Sequence, residues 1–392
     1  MYEINAVETY CRIVRRCRIA FSSLLASVAL IVCILPVQGQ TDHPMNFAGD
    51  FRVRFESTSR QQPGATPDIR DARNREVVRF RFGINRKING LFNFGARLAT
   101  GSPDDPNTTD VTMGDFVNDL SISLDRAFME LKYQNLFLTG GKFANPFRTT
   151  ELLWDGDVNL QGIAGSYTLP GAKKIVPKVS GAYYVVDEQS SNPDSYMLGG
   201  QLDFAIHPSP DLSLTLAGAY YDYTIKSLTH ADPPGDSQGD TRGNFLTADG
   251  KAYLSDFDLI EGFAAIDYRG FGERYPVRLV GDFVKNNGAA RGEDMGYGID
   301  LYVGKVSKNK DWRFQYGYAL AENDAVLAAF SHDNTTLASN YEQYTLGIDY
   351  VIAENTTLTL TLYHYRRHHL KSAHSIENDF FTRLRLNAMV NF

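Results

Sequence analysis

Asn46-Phe47-Ala48-Gly49-Asp50-Phe51-Arg52-Val53-Arg54-Phe55-Glu56 puts Phe47, Gly49, Phe51, Val53 and Phe55 on one side of an extended chain. Asp50, Arg52, Arg54 and Glu56 fall on the other. A period of two marks a strand with one apolar and one polar face. The pattern repeats downstream. Across 75–86, Val78, Phe80, Phe82 and Ile84 alternate with Arg79, Arg81 and Asn85. Across 91–100, Phe92, Phe94, Ala96 and Leu98 alternate with Asn93, Gly95 and Arg97. Further segments of this kind lie at about 125–133, 136–143, 160–168, 176–187, 195–206, 211–223 and 256–269. The rest lie at about 276–286, 294–306, 311–321, 341–351, 356–365 and 379–392, which brings the count to sixteen.

The connections alternate as well. Short turns at 86–90, 134–135, 207–210, 307–310 and 352–355 interleave with long polar stretches at 57–74, 101–124, 224–255 and 322–340. An even strand count, short turns at one end and long loops at the other predict an all-β transmembrane antiparallel barrel, with both termini on the short-turn side. After Met45 no segment approaches the ~20 apolar residues a membrane helix needs. A soluble β-sandwich would also alternate, but would turn its apolar face inward. Two features favour the membrane. Aromatics gather near strand ends, as in Tyr183-Tyr184, Tyr220-Tyr221 with Tyr223, Tyr363 with Tyr365, Phe380-Phe381 and, alone, Trp312, and are read as interfacial girdles. In the last segment Leu384, Leu386, Ala388, Val390 and Phe392 alternate with Arg383, Arg385, Asn387 and Asn391. A terminal Phe on such a strand resembles the signal read by the outer-membrane insertion machinery. Closure follows from hydrogen bonding, because an open sheet edge in lipid would leave backbone groups unpaired at several kcal/mol each. Sixteen strands are wide enough to leave an aqueous lumen.

The N-terminal 39 residues differ in kind. Arg12, Arg15, Arg16 and Arg18 precede an uncharged run from Ile19 to Gln40, and Val37-Gln38-Gly39 offers compact residues at a cleavage site. This is the layout of a secretory signal peptide, leaving residues 40–392 as a single barrel domain. Cys11, Cys17 and Cys33 all lie in the leader, so the remainder holds no disulfide framework and no thiolate metal site. The net charge of −7 gives none of the basic footprint that nucleic-acid binding requires. No cofactor is expected.

Inward polar residues are not evenly spread. Closure sets Arg383 and Arg385 beside Arg52 and Arg54, these beside Arg79 and Arg81, and these beside Arg97, forming a basic patch partly offset by Asp50 and Glu56. A second constellation is Gly140-Gly141-Lys142-Phe143-Ala144-Asn145-Pro146-Phe147, where Pro146 ends a strand, followed by Arg148, Glu151, Trp154, Asp155, Gly156 and Asp157 in the third external connection. With Gly49–Arg54, Arg97–Gly101, Thr139–Phe147, Leu153–Asp157, Gly218–Tyr223, Gly281–Asn286 and Asp324–Leu327, the chain resembles the putative porin family of Gram-negative outer membranes. The resemblance implies passive diffusion of small hydrophilic solutes and ions through a homotrimer embedded among outer-membrane lipid and lipopolysaccharide. It also implies that the third connection folds into the lumen and sets Lys142, Arg148, Glu151, Asp155 and Asp157 against the basic wall. Facing charges there act as selectivity rings do. The Gly-Lys-Phe-x-x-Pro-Phe turn is similar to that of phosphate-selective porins, whose long inward Lys/Arg ladder this sequence lacks, so an anion- or phosphate-preferring porin stays open.

Enzymatic readings lack a partnered nucleophile. His364, His368, His369 and His374, with Arg366 and Arg367, read as a solvated loop tip rather than a metal or lipopolysaccharide phosphate site. Asp104–Asp110 reads as an acidic loop rather than a Ca²⁺ site, since it lacks EF-hand spacing. Asn107, Asn334 and Asn355 stand in Asn-x-Thr triplets to which a bacterial protein need give no meaning. A non-conducting surface receptor or structural barrel remains the alternative to a channel.

Overall fold

The computed structural model describes residues 45–59, 72–103, 107–114, 119–170, 174–228, 230–231, 243–368 and 380–392. The leader, His369, His374 and residues 104–106 of the acidic loop lie outside them. Period-two alternation gives seventeen strands in the described residues. They are β1 (Met45–Thr58), β2 (Arg73–Lys87), β3 (Phe92–Thr100), β4 (Val111–Thr112), β5 (Ile122–Tyr133) and β6 (Leu136–Ala144). Then come β7 (Asn159–Thr168), β8 (Ile175–Asp187), β9 (Ser195–Ser209), β10 (Leu212–Thr224), β11 (Phe257–Tyr268) and β12 (Val277–Asn286). The last are β13 (Met295–Gly304), β14 (Trp312–Ala321), β15 (Tyr341–Ala353), β16 (Thr356–Arg367) and β17 (Phe381–Asn391). Sixteen form a closed antiparallel barrel; the exception, β4, is a two-residue strand inside the second long connection that pairs with Val77 and Val78 of β2.

Closure is made by β1, which pairs with β2 on one side and β17 on the other. At the seam the Gly49 N–H donates to the Phe392 carbonyl at 2.8 Å and the Phe392 N–H returns a bond to the Gly49 carbonyl at 3.0 Å. The Phe392 ring stacks on Phe80, 6.3 Å between centroids, and lies over Gly49, where a Cβ would meet it at 2.6 Å. Only glycine leaves that room.

Side-chain exposure is inverted relative to a soluble sandwich. On β1, Phe47, Phe51, Val53 and Phe55 are 40–59% exposed, while Asp50, Arg54 and Glu56 are at most 8% exposed. Leu216, Ile260, Phe283, Ile299, Leu346 and Leu386 continue the outward apolar surface around the ring. Such a belt is favourable only against hydrocarbon. Short turns join strands at one end. One is Glu354-Asn355, where Asn355 takes φ +56°, a left-handed conformation Asn tolerates.

The girdle reading holds for only some of the aromatics. Because successive side chains point to opposite faces, each adjacent pair is split. Tyr220 stands outward at 47% exposure, but Tyr184, Tyr221 and Tyr223 turn inward and are buried, as is Tyr365. They belong to an apolar core inside the barrel. The core gathers Phe147, Leu152, Leu153, Trp154 and Val158 of the third connection with Ala325, Val326, Leu327 and Leu337 of the seventh. Inward residues of β8 to β12, including Met197, Phe257 and Leu259, complete it. Trp312 pairs with Tyr275, 5.8 Å between centroids, near the short-turn end.

Candidate functional site

The seven arginines read from the sequence converge on one wall formed by β17, β1, β2 and β3, and carboxylates are threaded among them. Asp50 accepts from Arg79 Nε at 2.9 Å and Arg81 Nε at 2.7 Å. Glu56 accepts from Arg75 Nε and Arg385 Nε, each at 2.7 Å. Arg54 donates from Nε to Asn387 at 2.7 Å, and Arg52 and Arg54 both grip Asp110. Arg97 holds Asp125 at 2.9 Å, and Arg383 donates to the Asn334 carbonyl at 3.0 Å. Two further arginines, Arg75 and Arg126, extend the group. Arg126 bonds Asn159 at 2.6 Å because the pairing slips after Arg97, leaving Asp125 as an extra residue in β5. A bulge of that kind re-aims side chains, and here both Asp125 and Arg126 reach the lumen.

Asp110 was legible only as one acid in an acidic loop. Its role comes from the β4 pairing, which folds the second connection back over the wall. Burial would raise its carboxyl, but Arg54 and Arg52 outweigh that and hold it at about 2.

The acids of the third connection do not stand in a row across open water. Asp157 touches the wall, accepting from Arg81 at 2.9 Å and Thr109 Oγ1 at 3.0 Å. Asp155 is buried within the loops, where it accepts from the Asp157 N–H at 2.7 Å and the Asp333 N–H at 3.3 Å. Burial, with Asp333, Glu151 and Asp157 nearby, pushes its carboxyl well above the usual range. Glu151 is exposed and takes a hydrogen bond from Asn334 Nδ2. Arg148 is anchored through its backbone, whose N–H and C=O each bond Gln201 at 2.7 Å, and its side chain is exposed. Lys142 sits half-buried on β6, opposite Ala127 and Gln161.

The third connection, residues 145–158, has a partner the sequence did not suggest. The seventh, residues 322–340, comes inward to meet it. The Asp155 N–H donates to the Phe330 carbonyl at 2.7 Å, and Ser331 Oγ to the Leu152 carbonyl at 3.1 Å. The Trp154 and Phe330 rings stack at 5.1 Å with planes 3° apart. The signal was the run Ala325-Val326-Leu327-Ala328-Ala329-Phe330, too apolar for a solvated loop. Asp324 roots this segment, accepting from the Phe245 N–H at 3.0 Å and Ser255 Oγ at 2.5 Å. Alongside lies a cavity of about 1590 Å³, lined by Arg52, Arg54 and Arg385 and by Glu151, Asp300, Gln343 and Tyr363, running down to Pro210, Gly272 and Lys305 at the short turns.

The sequence matches the family described as putative porin over residues 40–245 and 253–368. The chain belongs to this porin family. Its sixteen-stranded barrel is similar to that of OprB from Pseudomonas putida, with TM-score 0.56, 13% identity, and coverage of 89% of this chain and 94% of that one. It is also similar to OmpF from Salmonella typhi in a complex with daunomycin, with TM-score 0.52, 12% identity, and coverage of 89% and 98%. No curated protein matches. Membership and fold make this porin an outer-membrane β-barrel channel protein.

Proposed function

We propose that this porin is a passive diffusion channel for small hydrophilic solutes and ions, narrowed between its arginine wall and the inward loops. The observation that carries this reading is the cavity beside the inward loops, whose lining includes Arg52, Arg54, Arg385 and Glu151. Charges in a narrow passage with a low-dielectric wall act on ions strongly, because the wall focuses their field. An anion preference is the second reading. Arg52, Arg54, Arg75, Arg79, Arg81, Arg383 and Arg385 outnumber Asp50, Glu56, Asp110 and Asp157, the carboxylates that hold them. Export through the leader with cleavage after Gly39, handling by the insertion machinery through Phe392, a homotrimeric assembly and contact with lipopolysaccharide complete the proposal.

Salt-gradient recordings in planar bilayers test it. Asp155→Asn with Asp157→Asn should move the reversal potential toward anions, chiefly through Asp157, which is the wetter of the two. Arg79→Ala with Arg81→Ala should move it toward cations and raise conductance. Both effects should shrink at 1 M salt, where the Debye length is about 3 Å. Phosphate replacing chloride separates phosphate preference from simple anion preference. A silent wild type would leave the receptor or structural reading.

A further inference from the structure

We propose that residues 322–340 form a second constriction element, and that Asn334 at its tip is a specificity-determining residue of the passage. This rests on the channel reading above. The third and seventh connections leave the ring between β6 and β7 and between β14 and β15, eight strands apart in a barrel of sixteen. They therefore meet from opposite sides, and the join between them crosses the lumen. The seventh is held rigidly. Val326 and Leu327 are fully packed, and Asn244 Nδ2 donates to the carbonyls of Asn323 at 2.7 Å and Val326 at 2.9 Å.

Asn334 is where this body reaches both the third connection and the arginine wall. Its Nδ2 donates to Glu151. Its Oδ1 accepts from Arg385 at 2.8 Å and from the Tyr363 hydroxyl at 3.2 Å, and its carbonyl takes Arg383 at 3.0 Å. One neutral amide thus stands between a guanidinium and a carboxylate that would otherwise pair. Arg385 and Arg383 lie against Glu56 on the wall side, at 2.7 and 3.7 Å, and the Asn334 side-chain and backbone oxygens cap them on this side. Glu151 sits at the donor end of the amide and lines the cavity. A side chain with both a donor and an acceptor end is needed for this separation. Leu or Ala would remove the separator, and Asp would repel Glu151 while neutralising Arg385. Asn334, Arg385 and Glu151 all line the cavity, so a change here is felt by whatever passes.

The test uses the whole porin in planar bilayers. The sequence has no cysteine after Cys33, so Asn334→Cys gives one addressable thiol in the barrel. Anionic and cationic methanethiosulfonate reagents should both lower its conductance, by roughly twofold if the group obstructs a water-filled passage, and should shift the reversal potential in opposite directions. Lys251→Cys, on the exposed part of the fifth connection, should label without effect. Asn334→Asp should move selectivity toward cations without any reagent. Heat-modifiable gel migration confirms that each variant is folded. A conducting wild type whose conductance and reversal potential ignore both Asn334→Asp and thiol labelling at position 334 overturns this proposal alone. A silent wild type overturns it together with the channel reading.

Discussion

Asp155 and Asp110 are both loop acids, yet their environments act on them in opposite ways. Asp110 lies between two guanidinium groups, so its charged form is favoured and its attachment of the second connection is lost only on strong acidification, as pH falls toward about 2. Asp155 lies among Asp333, Glu151 and Asp157, and its neutral form is favoured. A carboxyl raised in the folded state supports the structure below its unfolded value and weakens it as pH climbs through the folded one. The junction of the two inward loops should therefore loosen with rising pH. Trp154 reports on it directly. In a Trp312→Phe background, Trp154 emission should shift to the red as pH rises above the ordinary carboxylate range, and Asp155→Asn should flatten the response. An unchanged spectrum across that range would mean the junction does not depend on the Asp155 proton. Little of this was legible in the sequence, because Asp110 owes its state to Arg52 and Arg54, more than fifty residues away, and Asp155 owes its state first to burial, with Asp333 of another loop joining its neighbours Glu151 and Asp157.

Strands were legible and connections were not. Period two depends only on local side-chain order, so sixteen barrel strands could be placed within a few residues of their observed bounds. What fills the lumen depends on long-range packing, which alternation does not encode. The seventh connection read as an external polar loop, though its stretch 325–330 is wholly apolar. The paired tyrosines read as girdles, though alternation itself sends Tyr221 inward when Tyr220 faces out. The arginine wall was legible because neighbouring strands follow from closure, and its bound carboxylates were only partly so. The seam between β1 and β17 carries a prediction of its own. Deleting Phe392 should lower outer-membrane yield and raise periplasmic aggregate. Gly49→Val should do the same with the terminal residue intact, since its side chain would occupy the place of the Phe392 ring. If only the deletion has an effect, Phe392 acts solely as a recognition signal and its seat on Gly49 is incidental.

At the scale of the whole molecule, outward apolar and inward polar surfaces decide where the chain resides, and the proposed leader carries a prediction about how it gets there. Mass spectrometry of the detergent-extracted assembly should find a chain beginning near Gln40 and a particle of three such chains. An intact Met1–Phe392 chain would remove the cleavage proposal, and a particle of one chain the trimer.

Two loops rising from opposite sides of a ring and fastened to each other have a mechanical consequence. A cylinder of sixteen strands is stiff along its hydrogen bonds but soft to squeezing, because flattening it costs only a small change of angle between each pair of neighbours. Here any flattening must either stretch or crush the joint of Trp154 on Phe330, with its short backbone bond from Asp155. The joint proposed above to narrow the passage would then also act as a tie-rod, holding the barrel round against the lateral pressure of the bilayer.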